Sequence, residues 1–315
     1  MRVRILDLDG SVAQQSRLLV ASAAEVVPLQ DWGPRLRMSC SFARFRRFEQ
    51  SLARCLGADP AVTFYGSGDF HHVSLALVRR ITTPFNLLVI DKHPDWMCNI
   101  PFLHCGTWLR HASRLPLLRR VFHVGGDLDF DNAWRWLAPS ADLRRRKIVV
   151  FPAVRRFEGR PWDRVPNVPL RDGGEPVTAE RVGRLLRPFA ESLARVPLYV
   201  SLDKDVLTAE DAVVNWDSGH LRTEEVTAVL TAFASAARGR VLGADVPGDW
   251  SPVRLGGALR RVLHWTEHPP LAVDPAEANR VNERTNLALF QSLVAILARP
   301  EPRATQPAPA ARRAG

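Results

Sequence analysis

Leu87-Leu88-Val89-Ile90-Asp91-Lys92-His93-Pro94-Asp95 and Leu198-Tyr199-Val200-Ser201-Leu202-Asp203-Lys204-Asp205 share one design. In each, a short apolar run breaks directly into alternating acids and, in the first, a histidine. Runs of this length bounded by polar residues read as buried strands. On an extended chain residues i and i+2 point the same way. Asp203 and Asp205 therefore present two carboxylates side by side, and Asp91, His93 and Asp95 carry the pattern over three positions. Carboxylates so placed repel each other unless a cation lies between them.

The arrangement recurs elsewhere. Phe64-Tyr65 leads into Gly66-Ser67-Gly68-Asp69-Phe70-His71-His72, and Val241-Leu242-Gly243 leads into the segment from Asp245 to Asp249. Further apolar runs at Arg4–Leu8, Val62–Tyr65, Asn86–Ile90, Arg120–Val124, Lys147–Phe151, Leu198–Leu202 and Arg240–Ala244 complete a set of predicted strands. Amphipathic segments at Phe42–Leu56, Val73–Ile81, Ala179–Ala194, Glu224–Ala237 and Asn282–Leu297 predict helices. Thr178 with Glu180, and Thr223 with Glu224 and Glu225, mark two helix starts. Strands alternating with helices predict an α/β fold, a mostly parallel sheet covered on both faces. In such sheets ligands bind outside the carboxyl ends of the strands, and all four polar clusters follow strands. They point to one rim.

Asp91, Asp95, Asp203 and Asp205 with His93 and a histidine of the His71/His72 pair make an oxygen-rich, imidazole-containing set. Such a set suits Mn²⁺ or a similar ion better than a thiolate-type zinc site. Four carboxylates balance two divalent ions. A water between two such ions loses a proton near neutral pH and becomes a nucleophile.

The order G-S-G-D-F-H-H, D-K-H-P-D, S-L-D-K-D resembles the arginase/agmatinase (ureohydrolase) family, with its Gly-Gly-Asp-His, Asp-x-His-x-Asp and Ser-x-Asp-x-Asp segments. The resemblance spans about residues 3 to 297 and is specific at the motifs. It implies a three-layer α/β/α fold and a dinuclear manganese centre that hydrolyses guanidinium C–N bonds. It also implies that Asp91, His93, Asp95, Asp203 and Asp205 are metal ligands, joined by one histidine of the first motif. An extra residue there leaves His71 and His72 as alternatives. His104, in His104-Cys105-Gly106, resembles the family's proton-shuttling histidine, and Asp245 with Asp249 resembles its guanidinium-recognising segment. Asp249 stands where the family usually has Glu. The Asp-Pro usual after Ser-x-Asp-x-Asp is replaced by Val206-Leu207-Thr208, and the Asn/Ser-rich loop after Asp95 is missing. Trp96, Trp108, Trp216 and Trp250 lie near the motifs, as pocket or core aromatics. The expected substrate is thus a guanidino, amidino or related small molecule, not arginine by default.

Composition bounds the alternatives. The chain has 315 residues, 46% apolar and 24% charged, ordinary for a globular protein that needs no disulfides. We expect one metallohydrolase domain over residues 1–298 and a disordered Pro/Ala/Arg-rich tail over 299–315. The net charge of +10 comes almost wholly from scattered arginines, because only Lys92, Lys147 and Lys204 are lysine. No basic stripe interleaved with aromatics points to nucleic acid. Cys40, Cys55, Cys98 and Cys105 form no C-x-x-C pair, the opening residues read as a strand, and no apolar run spans a membrane. A reduced cytoplasmic enzyme is expected, and the family resemblance admits a homo-oligomer. Two rivals remain. One is a metal-binding but inactive protein of the same fold. The other is a haloacid-dehalogenase-like phosphatase using Asp7 as nucleophile and Asp9 as acid/base, with Asp127 and Asp131 as late acids.

Overall fold

A computed structural model describes residues 2–57, 59, 61–97, 102–126, 138–153, 168–171, 174–253, 255, 264, 268 and 272–298. Cys98, Asp127, Asp131 and the expected tail lie outside them. The strands are β1 (Arg2–Asp7), β2 (Glu25–Pro28), β3 (Ser39–Cys40), β4 (Ala61–Phe64), β5 (Phe85–Ile90), β6 (Leu103–His104), β7 (Leu118–Val124), β8 (Ile148–Phe151), β9 (Leu198–Leu202) and β10 (Val241–Val246). Eight of them form one sheet in the order β2-β1-β4-β10-β9-β5-β7-β8. Every pairing in it is parallel. β3 and β6 pair separately, antiparallel.

Side-chain alternation sends β5 residues to two faces. Leu88 and Ile90 join Phe122, Val200, Leu202 and Val246 on one face, under helices Ala179–Leu186, Thr223–Ala236 and Pro275–Leu297. Leu87 and Val89 join Val121, Val150 and Tyr199 on the other, under Phe42–Cys55, Val73–Val78 and Trp108–Ala112. The result is the three-layer α/β/α arrangement with a parallel central sheet. No helix among the described residues is long and apolar enough to cross a membrane.

Three local differences from the sequence reading have physical causes. The helix expected over Ala179–Ala194 is split into Ala179–Leu186 and Ala190–Arg195 by a turn at Arg187–Phe189. Pro188 lacks the N–H an unbroken helix needs. The edge strand β2 was missed because only Val27 of its four residues is buried, which leaves no apolar run. β10 continues past Ala244 to Val246, which puts Asp245 inside the sheet instead of in a loop after it.

The four central strands, β4, β10, β9 and β5, are those whose ends carry the polar clusters. Ile90 pairs with Leu202, and the Asp203 amide donates to the Ile90 carbonyl at 2.9 Å, so Asp91 and Asp203 leave the sheet side by side.

Phe122 is fully buried between Phe189 and Phe233, with ring centroids 5.4 and 5.3 Å away. Phe122→Ala should cost about 3–5 kcal/mol. Urea unfolding should show a lower midpoint with an unchanged slope. A loss below about 1 kcal/mol would mean that this layer collapses around the gap.

Candidate metal centre

The turn Gly68–Phe70 follows β4 and delivers His71 to the rim. Its Nδ1 lies 3.2 Å from Asp91 Oδ2, 2.9 Å from Asp95 Oδ2 and 3.2 Å from Asp203 Oδ2. On the other side of Asp91, His93 Nδ1 lies 2.6 Å from Asp205 Oδ2. Ligand-type atoms thus gather into two groups that share Asp91: His71, Asp91 and Asp95, and Asp91, His93 and Asp205. Asp203 adjoins the first through His71.

Close backbone approach makes room for this. A Cβ on Gly68 would lie 3.0 Å from Asp203 Oδ2, and one on Gly248 would lie 2.6 Å from Asp203 Oδ1. Gly248 also has φ of +106°, which side-chain-bearing residues rarely adopt. Asp95 reaches the cluster by a left-handed backbone, φ +51°. Trp108 Nε1 holds it there, donating to Asp95 Oδ2 at 2.7 Å.

Asp91, Asp203, Asp205 and Asp95 are at most 3% exposed. Burial, then the charge of Asp205, pushes the Asp203 carboxyl well above the usual range, and burial, then Asp91, raises Asp205. Burial works against protonation of His71, but its contacts with Asp91 and Asp95 outweigh that and hold it well above the usual imidazole range. His93 is likewise raised: burial opposes, and Asp205 prevails. Asp91 Oδ2 is buried and accepts no hydrogen bond. These are the properties of a cation site: buried acceptors converge, and protons stand in poorly for positive charge. The donor set fits one or two divalent ions.

Each histidine is oriented from behind. His71 Nε2 meets Ser201 Oγ at 3.0 Å. Ser201 and Ser74 in turn donate to Asp245 Oδ1 at 2.8 and 2.7 Å, and the Tyr65 hydroxyl lies 3.1 Å from the same oxygen. His93 Nε2 faces Asp217 Oδ1 at 3.4 Å.

The other predicted residues sit elsewhere. His72 points away from the carboxylates, beside Phe45, with both ring nitrogens buried and unpartnered. Burial, reinforced by His104 and His71, lowers its pKa to about 3. His104 is pinned in the β3–β6 ladder, its Nδ1 accepts from the Gly106 amide at 3.1 Å, and burial lowers its pKa to about 4. Asp245 is fully buried within β10. Asp249 is buried against Lys204, with Oδ1 and Nζ 2.5 Å apart, and accepts from Gln15 Nε2 at 2.5 Å and Asn286 Nδ2 at 3.1 Å. Lys204 is itself fully buried, between the two acids of the motif in sequence. Asp7 accepts from the Gly10 amide and Gln30, and Asp9 from Ser11, the Ser67 amide and Ser251. Both acids tie loops together, and neither joins the ligand groups.

Sequence reasoning missed Asp69, Arg37, His264 and His268. Arg37 Nε donates to Asp69 Oδ2 at 2.6 Å, and His268 Nε2 lies 2.8 Å from Asp69 Oδ1. The i, i+4 spacing of His264 and His268 was the one available signal.

No protein-family model matches the sequence. An uncharacterized protein of Thermotoga maritima is 26% identical over 253 residues, 80% of this chain and 82% of that one. Among solved structures, formimidoylglutamase from Bacillus subtilis superposes with a TM-score of 0.54 at 12% identity, covering 94% of this chain and 88% of that one. Entamoeba histolytica arginase, in complex with L-ornithine, gives 0.51 at 10% identity over 92% and 96% of the two chains. Proclavaminate amidino hydrolase from Streptomyces clavuligerus gives 0.51 at 16% identity over 95% and 92%. At such identities the likeness speaks for architecture, and the architecture of this chain is the arginase fold.

Proposed function

We propose that this chain is a divergent ureohydrolase: a dinuclear-metal hydrolase, with Mn²⁺ the preferred ion, acting on a guanidino, amidino or related non-peptide C–N bond of a small molecule. The carrying observation is the pair of ligand groups that share Asp91. His71, Asp91, Asp95 and Asp203 would hold one ion, and Asp91, His93 and Asp205 the other. When bound, such a pair activates water near neutral pH and polarises the carbon to be attacked. The same reading carries a reduced, cytoplasmic setting.

The protein's own part is orientation. A hydroxyl already donating to Asp245 leaves its lone pair for His71 Nε2–H, so the tautomer is set with Nδ1 facing the carboxylates. Asp217 does the same for His93. Asp245 thus supports a ligand, and Asp249 is neutralised by Lys204. Neither carboxylate is open to a substrate in this geometry. Arginase, formimidoylglutamase and amidino hydrolase act on different C–N compounds, so the shared fold supports the reaction class and leaves the substrate to be measured.

Purified protein should carry about two manganese ions per chain and release urea or ammonia from a member of a guanidino, amidino and formimino panel. Asp203→Ala and His71→Ala should lose metal and all turnover, whereas His72→Leu should keep its metal. A metal-replete Asp203→Ala would sink the ligand assignment. Two bound ions with every compound intact would favour the inactive alternative.

The metal-free centre also predicts a pH response. His71 and His93 have raised pKa values and bind protons more tightly than free imidazoles, as Asp203 and Asp205 do than free carboxylates. Ligands bind deprotonated, so metal uptake must release protons and weaken as the pH falls. Calorimetric Mn²⁺ titrations in buffers of different ionisation enthalpy should show that release. A pH-independent affinity would contradict it.

A further inference from the structure

In sequence the arginines are scattered, and the fold gathers many of them on one side of the sheet. The helix Phe42–Cys55 holds Arg44, Arg46, Arg47 and Arg54 against a single acid, Glu49. Phe45, Phe48 and Leu52 are buried on its inner side, while Arg47 and Arg54, two turns apart, are exposed opposite them. Arg79, at the end of Val73–Val78, joins that helix to this one: it pairs with Glu49 at 2.9 Å, and its guanidinium lies 5.8 Å from the centre of the Phe45 ring. The His111 ring in Trp108–Ala112 packs 5.2 Å from Phe42. Burial lowers the His111 pKa, and the charges of Arg114, Arg79 and Arg110 lower it further. The helix Ser140–Arg144 enters the same layer through Leu143 and runs into exposed Arg144, Arg145 and Arg146.

The opposite helix layer has the same taste for arginine and arranges it otherwise. There Arg184 pairs with Glu180, Arg195 with Glu191, Arg222 with Glu210, Arg171 with Glu225 and Arg280 with Glu277. A compositional bias toward arginine would load both layers alike. It does not explain why one layer matches its arginines with acids while the other carries few acids among its described residues. The net charge of +10 is therefore borne mainly by one face.

We propose that the outer side of Phe42–Cys55, with Arg79, Arg110 and Arg114 beside it, is a docking surface for the phosphate backbone of duplex DNA. Guanidinium forks fit phosphate oxygens in pairs. The helix is about 21 Å long, a length over which a duplex offers about a dozen phosphate charges. Single strands are held by stacking bases on aromatic rings, but Phe45 and Phe48 are turned into the core. A guanidinium donates and does not accept. A face dominated by such groups suits a backbone that offers phosphates alone better than one that adds 2′-hydroxyls. A helix lying in a membrane surface needs an outward apolar side. The exposed large apolar residues among those described, Val20, Val26, Phe102 and Val168, lie on none of these helices. Contacts of this kind position a backbone and read no sequence. The surface lies on a helix layer, away from the strand-end rim, and its occupancy is independent of the hydrolase reading.

Fluorescence anisotropy with a labelled, mixed-sequence DNA duplex tests this on the full-length protein. At physiological salt the wild type should bind with a Kd of about 10⁻⁴ to 10⁻⁶ M or tighter, and log K should fall linearly with log salt. Arg46→Glu/Arg47→Glu/Arg54→Glu should lose binding. Arg184→Glu/Arg195→Glu/Arg280→Glu changes the net charge equally on the opposite layer and should lose far less. Should the first triple variant not fold, Arg47→Gln/Arg54→Gln carries the same question, with the salt slope expected to shrink by about 2. A wild-type Kd weaker than about 10⁻⁴ M at physiological salt, equal losses in the two triple variants, or an unchanged slope in the double variant would each overturn the proposal. So would capture by phosphatidylserine vesicles or by an RNA duplex with the DNA duplex left unbound. None of these readouts uses turnover, so they stand or fall apart from the hydrolase reading.

Discussion

Asp91 and Asp203 emerge from the ends of two hydrogen-bonded parallel strands, with Asp205 two residues on, all within 2% of full burial. Like charges held this close and out of water raise one another's pKa, and Asp203 and Asp205 both show it. In the metal-free chain the relief is partial, through protonation and through His71 and His93. A divalent cation relieves the repulsion directly, because several carboxylates can then keep their charge at once. The surrounding structure is arranged so that this cluster cannot relax by spreading apart. Glycines at 68 and 248 let backbone close on Asp203, and Trp108 holds Asp95 in a left-handed turn.

Behind the cluster lies a layer of groups that fix orientation without facing the rim. Tyr65, Ser74 and Ser201 converge on one oxygen of Asp245, and Ser201 passes that order to His71. Lys204 crosses to the far side of the Asp203–Asp205 motif and meets Asp249, which Gln15 and Asn286 also hold. A buried pair of this kind is weak evidence for added stability, since desolvation offsets much of its attraction. Its geometric effect is firmer: it ties the motif to Gln15, at the start of the helix Ser16–Ser22, and to Asn286 in the helix Pro275–Leu297.

The strand-end clusters were legible because the sheet's two-residue period and its parallel topology are both written in the sequence. Apolar runs located the central strands, and the rule that ligands gather at carboxyl ends placed Asp91, His93, Asp95, Asp203 and Asp205 together. What failed to show was anything set by a boundary or by a distant partner. Whether Asp245 lies in a strand or beyond it depends on two residues of strand length. His71 and His72 are adjacent in sequence and differ only in which way a short turn aims them. Asp249 looks like an open carboxylate until Lys204 is found against it, and a lysine between two aspartates reads as a solvated charge. His264 and His268 follow the last sheet strand by about twenty residues, with nothing nearby to mark a site.

These distinctions bear on how a metal centre and its specificity separate. The ligand groups come from the ends of β4, β5 and β9, where sheet geometry fixes their relation to one another. Asp245 and Asp249, the carboxylates that the family resemblance assigns to substrate recognition, are buried, the first within β10 and the second against Lys204. Charge that a cationic substrate would have met is met by Lys204 from the protein's own chain. The aromatic row His93, Trp216, His268 borders the centre. A sheet of this topology can therefore keep its strand-end acids and histidines while the groups around them change, so that likeness in fold identifies the scaffold, and the reaction has to be argued from the site itself.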